Sequence, residues 1–306
     1  MGTDIFVGVA LAVFMIFPMA WLLNQRMLYV TTVHMHRGVT HEALQLRYGL
    51  RLWCDYSLNR MGMWMRYWVY VHRKHHANTD TVDDPHAPFN LLDDSIEDED
   101  ARWDDAVRRH LKTNLAEYRS AATREQVLAM KKPDLTFIDG WGTRLGLGVW
   151  VITWLTHLIP YTIVGLLLGV NLWVYLPFAA AAAVVSLVWA GGMYIRGSSA
   201  VNTYGHAWPI RSKNRSAGHA SNHNWTARRT GGEGRQYDHH VRQRSARIRM
   251  LHGTRRIDDI GWELIRILRA LRLTRFVIEK PDEAPLPEVR ELDRRGRPVR
   301  QLERAA

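Results

Sequence analysis

Residues 145–195 form the longest uncharged segment of the chain and read LGLGVWVITWLTHLIPYTIVGLLLGVNLWVYLPFAAAAAVVSLVWAGGMYI. These 51 residues contain no Asp, Glu, Lys or Arg. A helix needs about 20 apolar residues to cross a bilayer, so the stretch predicts two membrane spans, 146–168 and 172–195, with a turn at 169–171. A buried hairpin of a soluble protein is the alternative, but such helices normally carry a charged edge.

A further apolar stretch lies near the N-terminus. Residues 5–23 carry no charge, and the pattern predicts a span over about 5–25. A cleaved signal peptide is the alternative, but it would begin with basic residues, whereas this chain begins Met-Gly-Thr-Asp. Two crossings within 145–195 return the chain to its starting side, so the polar segments 26–144 and 196–280 share one compartment. The abundance of Lys and Arg in both segments predicts that they are cytoplasmic and that the N-terminus is outside.

The charge balance is basic, with 41 Lys and Arg against 30 Asp and Glu and a net charge of +11. Arginines concentrate in 228–249 and again in 289–304. Such a surface suits anionic lipid at a bilayer or a phosphorylated carrier such as coenzyme A. No helix-turn-helix, RNA-binding signature or zinc-finger spacing is present, so we expect no nucleic-acid partner. Residues 281–306, rich in proline and charge, predict a poorly ordered tail.

Histidines dominate the two polar segments. The chain has 15 histidines and one cysteine, Cys54, which excludes thiolate zinc sites and Cys-ligated iron–sulfur clusters. The clustered histidines are His36 and His41, then His72, His75 and His76, and finally His239 and His240, with Asn202 and His206 four residues apart between the last two clusters. Nitrogen-rich sets of this kind suit iron, copper, zinc or nickel.

The spacing carries geometric information. On an α-helix His72 shares a face with His75 and His76. His36 and His41, in contrast, would point about 140° apart on an ideal α-helix. They converge only if the helix ends or distorts between them; otherwise they bind two different ions.

The order of these motifs resembles the membrane fatty acyl desaturase family over about residues 25–278. The likeness lies in His-x4-His, His-x2-His-His and a late Gly-Glu-Gly followed by His239 and His240, arranged around the apolar hairpin. The acyl-CoA (stearoyl-type) branch is the closer match, because it also has an Asn-x3-His element like Asn202 and His206. The resemblance implies an all-α integral membrane protein whose transmembrane helices carry a cytosolic helical domain, residues 1–280 in all, with a histidine-box di-metal site.

The resemblance also implies the chemistry. Two non-haem iron ions would activate O2 as co-substrate, and two hydrogens would leave adjacent methylenes of a fatty acyl thioester, with CoA as the expected carrier, or of a lipid. Electrons would come from a separate ferredoxin, rubredoxin or cytochrome-type donor. The implied metal ligands are His36, His41, His72, His75, His76, His206, His239 and His240, with Asn202 acting through a water. Nearby carboxylates that can orient the imidazoles are Asp80, Asp84, Glu233 and Asp238. No protein residue beyond the metal centre is expected to act as a catalyst.

Two departures from the family pattern leave alternatives open. Gln236 stands where the third histidine box usually has a further histidine, so iron there would be weakly held or lost, His219 or His223 would replace the ligand, or an open position would redirect the reaction. Only three spans are evident where the family usually has four. The alternatives are a fatty acyl or alkyl hydroxylase on the same scaffold and a degenerate, non-catalytic membrane protein that binds lipid or metal.

Overall fold

Helices make up most of the computed structural model, which describes residues 2–60, 62–85, 87–140, 144, 147–207, 218–249 and 255–280. The α-helices are α1 (Gly2–Tyr29), α2 (Tyr48–Asn59), α3 (Met65–Ala77), α4 (Glu99–Ser120), α5 (Arg124–Ala129), α6 (Leu147–Leu167), α7 (Leu172–Gly205), α8 (Asn224–Arg229), α9 (Gln236–Val241) and α10 (Ile260–Ala270). A π-helix (Val30–Thr40) continues α1, 3-10 turns cover Pro88–Leu91 and Arg256–Asp259, and two strands are β1 (Leu44–Leu46) and β2 (Thr274–Val277). The predicted tail, residues 281–306, lies outside the described residues.

Among the described residues, three helices are long and apolar enough to cross a membrane, as predicted. They cover Asp4–Thr40, Gly148–Leu167 and Leu172–Gly205. The first and third continue well past the predicted ends at 25 and 195, because helical hydrogen bonding does not stop where the apolar residues stop. The hairpin between α6 and α7 turns at Gly169, whose φ is +65°, and the side chain of Asn171 accepts a hydrogen bond from the backbone N–H of Trp173 to cap α7.

The membrane helices form one bundle. α1 and α7 run in the same direction, with Phe17 and Trp189 in edge-to-face contact at 5.9 Å between ring centroids. α6 runs antiparallel to α7, and the indole N–H of Trp154 donates to the carbonyl of Ala180 at 3.1 Å. Many apolar side chains on the outer faces of these helices are exposed, as expected of a surface that faces lipid.

On the histidine side of the bundle, the chain adds one element that the all-α prediction omits. β1 pairs antiparallel with β2, with Leu44 opposite Val277. The backbone N–H of Ile278 also donates to the carbonyl of Ala43 at 2.7 Å. The small sheet therefore ties the segment after the first histidine pair to the end of the described chain, and both pack on a core that includes Met35 and Ile265.

Candidate metal centre

The π-helix determines where the first two histidines point. His36 lies inside it, and His41 follows its last residue. The backbone N–H of His41 donates to the carbonyl of His36 at 3.1 Å, a hydrogen bond between residues five apart. Residues five apart therefore lie on the same side of this helix. The imidazole rings of His36 and His41 lie 4.8 Å apart between centroids, edge to face. Because the helix is distorted between His36 and His41, the two side chains can converge, as the spacing in the sequence requires.

The other histidines come from three helix ends. The last two turns of α3 carry His72, His75 and His76 on neighbouring faces, as their spacing predicts. His206 is the C-cap of α7, where the helix ends. His239 and His240 lie in α9, a short helix whose residues Gln236 to His240 are all buried.

The structure brings all eight predicted histidines into two adjacent groups. Within each group, one ring nitrogen from every residue lies within 4.8 Å of all the others. The larger group consists of His36, His41, His72, His76 and His239, and the smaller consists of His75, His206 and His240. The groups adjoin, because the rings of His76 and His240 lie 4.2 Å apart. Each of the two groups could hold a metal ion.

The ring nitrogens point inwards. The Nε2 atoms of His36 and His239 lie 2.9 Å apart, and those of His41 and His72 lie 3.1 Å apart. Burial, and next the charge of His36, keeps the pKa of His41 well below the usual 6.5. The pKa of His239 is lowered well below its usual value by the same two causes. The imidazoles of His41 and His239 are therefore neutral at physiological pH and offer lone pairs to a cation.

The smaller group is held by acidic residues of the loop after α3. The carboxylate of Asp84 lies 2.9 Å from Nδ1 of His75, and that of Asp80 lies 3.1 Å from Nδ1 of His206. Burial lowers the pKa of His206, but Asp80, together with Asp84 and Gln236, more than offsets this, and the pKa is raised above 6.5. Such contacts fix the ring orientation and raise the basicity of the other nitrogen.

Two backbone conformations make this arrangement fit. Asp80 has a φ of +54°, a left-handed conformation that Asp tolerates, and its carboxylate accepts a hydrogen bond from the backbone N–H of His219 at 2.6 Å. Gly218, with φ +48°, leaves room for that carboxylate, because a Cβ there would lie 2.5 Å from Asp80 Oδ2.

In the larger group, the carboxylate of Glu233 contacts an imidazole in the same way. Its carboxylate lies 2.5 Å from Nδ1 of His36 and also accepts a hydrogen bond from the hydroxyl of Thr32. The neighbouring Arg37 is buried, pairs with Asp259 at 2.9 Å and donates to the carbonyl of Gly231 at 2.8 Å. The guanidinium of Arg37 therefore links the segment His36–His41 to the segment just before Glu233, in addition to the contacts between the histidines.

Asp238, the fourth carboxylate predicted to orient an imidazole, contacts an arginine and an asparagine. It pairs with the guanidinium of Arg235 at 2.7 Å and accepts a hydrogen bond from the side chain of Asn222 at 2.9 Å. These contacts tie α9 and the residue before it to the segment that precedes α8. Thr79, which the sequence analysis did not select, lies 3.3 Å through its hydroxyl from Nδ1 of His240. The sequence feature that could have indicated Thr79 is its place directly before Asp80, in the loop that follows His72, His75 and His76.

Gln236 lies beside the smaller group. Its amide nitrogen donates to the carbonyl of Glu233 at 2.5 Å, and its side chain also hydrogen-bonds to that of His206. His219 and His223, the predicted substitutes, belong to neither histidine group: the His219 ring stacks on Phe89, and the His223 ring caps α8.

A cavity of about 990 Å³ runs from this centre into the membrane bundle. His36, His72, Asn202 and Gln236 line it near the centre. The rest of its wall is mainly apolar and comes from the π-helix, α1, α3, α4, α6, α7 and the segment before α3; it includes Met27, Trp68, Trp154 and Leu187, and α4 adds Asn114, Tyr118 and Arg119. A cavity of this size, apolar along its length and polar at one end, suits a long hydrocarbon chain with its reacting part at the histidines.

Comparison with known families agrees with this geometry. No curated protein matches the chain. A family model described as fatty acid desaturase matches residues 6–253, which is most of the chain and includes every histidine of both groups. The chain is therefore a member of the fatty acid desaturase family.

Proposed function

We propose that the protein introduces a double bond into a fatty acyl chain, using O2 and two non-haem iron ions bound by the eight histidines. The observation that carries the proposal is the pair of adjacent histidine groups at the polar end of a long apolar cavity. Nitrogen ligands of this kind suit iron, and the adjoining groups provide one site for each of two ions. Membership of the fatty acid desaturase family supports an oxidoreductase that acts on fatty acyl chains.

In this proposal the larger group holds one iron with five imidazoles. The smaller group holds the other with three imidazoles, and Asn202, acting through a water, and Gln236 complete its surroundings. The amide nitrogen of Gln236 donates to the Glu233 carbonyl and its side chain hydrogen-bonds to His206, so its oxygen would lie close to an ion held by the smaller group. Asp80, Asp84 and Glu233 hold the far nitrogens of their histidines, which fixes the rings before an ion binds.

The bound irons would supply the oxidising power needed to break unactivated C–H bonds. In the overall reaction, adjacent CH2 groups lose two hydrogens, and O2 takes up these together with two external electrons and two protons to give two waters. The chain's own residues orient the substrate and exclude water. Trp68 stacks on His72 with ring centroids 4.7 Å apart and lines the cavity, so it would hold the acyl chain against the centre.

The partners proposed for this reaction are a fatty acyl thioester, with CoA as one carrier, or an acyl lipid, together with a separate electron donor of ferredoxin, rubredoxin or cytochrome type. The histidine side of the membrane would face the cytoplasm, where reduced carriers are available. The stearoyl-type branch of the family is part of the same proposal.

Gln236 favours a second candidate. An amide oxygen is a weaker ligand than imidazole, so the two ions would be bound with different affinities. A site with one weakly bound ion suits a hydroxylase on the same scaffold, or a non-catalytic protein that binds metal or lipid. Iron-loaded protein incubated with acyl substrates, O2 and a reductant separates the three by mass spectrometry. A desaturase product lacks two hydrogens, a hydroxylase product gains one oxygen atom, and a binding protein yields neither.

A further inference from the structure

A basic surface lies in α10 and β2, away from the histidines. Residues 264–278 read LIRILRALRLTRFVI, with an arginine at every third position from 266 to 275 and no acidic residue. Arg266 pairs with Glu263 at 2.8 Å. Arg269, Arg272 and Arg275 are exposed, and none of them pairs with a carboxylate of the described residues. This segment therefore presents three uncompensated positive charges.

Apolar side chains share the surface with these arginines. Trp262 and Ile265 are buried and attach α10 to the core, but Ile267 and Leu271, four residues apart on another face of the helix, are 56% and 63% exposed. Phe276 of β2 is 45% exposed. Within the described part of the chain, no element covers them. We call the exposed set the α10–β2 patch; it consists of Ile267, Arg269, Leu271, Arg272, Arg275 and Phe276.

The arginines of 228–249, which the sequence suggested for anionic lipid, form no comparable surface as a group. Four of them are buried and contact carboxylates or backbone carbonyls inside the protein; these are Arg235, Arg242, Arg247 and Arg249. Burial and internal contacts withdraw these four from any lipid surface, whereas the unpaired arginines of the α10–β2 patch remain available to a partner.

Helix α2 connects the patch to the membrane bundle. At the start of α2, Nε of Arg47 donates to the carbonyl of Arg272 at 2.6 Å. At its other end, the carbonyl of Arg60 accepts a hydrogen bond from the hydroxyl of Thr153, which lies in the span Gly148–Leu167. α2 is 12 residues long, or about 18 Å, so the patch begins within about that distance of a residue in a membrane span.

Exposed aromatic side chains lie along the same helix. Tyr48, directly after Arg47, and Trp53, one and a half turns further on, are each about half exposed. Tyr and Trp are the residues that are enriched where a membrane meets water. The combination of aromatic residues on α2 with arginines and apolar side chains on the patch is typical of a surface that lies in the interface of a bilayer.

We propose that the α10–β2 patch lies in the headgroup region of the bilayer and binds anionic phospholipids. Arginines near a membrane attract the negative charge of such lipids, and the apolar side chains between them enter the adjoining hydrocarbon. An acidic soluble protein would match the charge, but the connection through α2 to a membrane span favours lipid. This inference goes beyond the proposed function and holds whatever reaction the histidine centre catalyses.

The test locates a nitroxide spin label on Leu271→Cys in the full-length, iron-loaded protein. Cys54 is buried, so it is expected to stay unlabelled under native conditions. The protein is reconstituted in vesicles of phosphatidylcholine, with or without phosphatidylglycerol. Paramagnetic resonance then compares the accessibility of the label to O2, which dissolves in lipid, and to a nickel chelate, which stays in water. Phe14→Cys in the first span is the lipid reference, and Val82→Cys, 83% exposed beside Asp83, is the water reference.

In vesicles that contain phosphatidylglycerol, the label on residue 271 is expected to gain accessibility to O2 and to lose most of its accessibility to the nickel chelate, as the Phe14 reference does. In phosphatidylcholine alone it is expected to lie closer to the Val82 reference, because the arginines then meet no net negative charge. High salt should reduce the difference between the two vesicles, since it screens the attraction.

A triple variant tests the charge directly by replacing the unpaired arginines of the patch: Arg269→Gln, Arg272→Gln and Arg275→Gln. It is expected to lose the response of the label to phosphatidylglycerol. The matched control removes the same charge from three exposed cations outside the patch and should keep the response: Arg108→Gln, Lys112→Gln and Arg124→Gln. An iron content equal to that of the parent protein confirms that both variants fold.

Three results would overturn the proposal. In the first, the label stays accessible to the nickel chelate in both kinds of vesicle, so the patch lies in water. In the second, the label is inaccessible to both reagents, so another part of the chain or a second copy covers the patch. In the third, the triple variant slows reduction of the protein by an acidic electron carrier while the label stays in water, so the patch docks a protein.

Discussion

The backbone N–H of His41 donates to the carbonyl of His36 at 3.1 Å, so a hydrogen bond spanning five residues joins two histidines that both belong to the larger group. In a regular α-helix this spacing would separate the two rings by about 140°. The π-helix from Val30 to Thr40 removes that separation. π-Helical turns occur frequently at functional sites, and here the distortion places two ligands of one site on a single helix end.

His75→Ala is expected to abolish activity and to lower the iron content from two ions per chain towards one, because it removes one of three imidazoles in the smaller group. Metal analysis of purified protein and product analysis measure both effects. Lys74→Ala, on the same helix but outside both groups, is the control and should retain both irons. Full activity of the His75 variant would remove this histidine from the centre.

Asp84→Asn is expected to weaken metal binding or activity by about 10–100-fold, because the carboxylate that orients His75 becomes a neutral amide. Competition with a chelator measures the affinity. Asp93→Asn, at an exposed carboxylate hydrogen-bonded to Ser95, is the matched control and should leave the affinity unchanged. Equal affinities of the two variants would show that Asp84 does not act through His75.

Gln236→His is expected to raise iron occupancy, since imidazole binds iron better than an amide and the position faces His206. The measurement is iron per chain during stepwise removal by a chelator, compared with the wild type. If the variant releases iron as readily as the wild type, residue 236 is not a ligand position.

Gly205→Ala is expected to destabilise the protein by about 1–3 kcal/mol and to displace Gln236, because the new Cβ would lie 2.4 Å from Gln236 Cγ. Thermal unfolding in detergent and the iron content report the two effects. Gly49→Ala adds a methyl group in open space and serves as the reference. A Gly205 variant as stable as this reference would mean that the contact between α7 and α9 is loose.

Cys54 is expected to resist alkylation in the folded protein. It is buried in α2, and burial together with the charge of Asp55 raises the pKa of its thiol far above the usual value. Only the thiolate reacts, so almost no reactive form exists at pH 8. Iodoacetamide labelling followed by mass spectrometry should show modification only after denaturation, and rapid labelling of the native protein would contradict the buried position.

The sequence was sufficient to predict the three membrane helices and the eight histidines that meet, because uncharged length and residue spacing are local properties. It did not reveal how His36 and His41 converge, since their spacing alone leaves open whether the helix ends or distorts between them. The strand pair was missed because Leu44–Leu46 is too short to show an alternating pattern and its partner lies more than 220 residues later.

The surroundings of the histidines were predicted less completely. Asp80, Asp84 and Glu233 lie against imidazoles, and Asp238 pairs with Arg235. Which nearby carboxylate reaches a ring depends on loop geometry, such as the positive φ of Asp80, and that geometry leaves little trace in sequence. The cavity arises from the packing of helices that are distant in the chain, so it could not be foreseen.

The most direct test of the account is the metal content of protein purified in detergent after expression with iron, measured by mass spectrometry against protein concentration. Two histidine groups that each hold one ion predict two irons per chain. One iron or none, or another metal in its place, would contradict a di-iron centre.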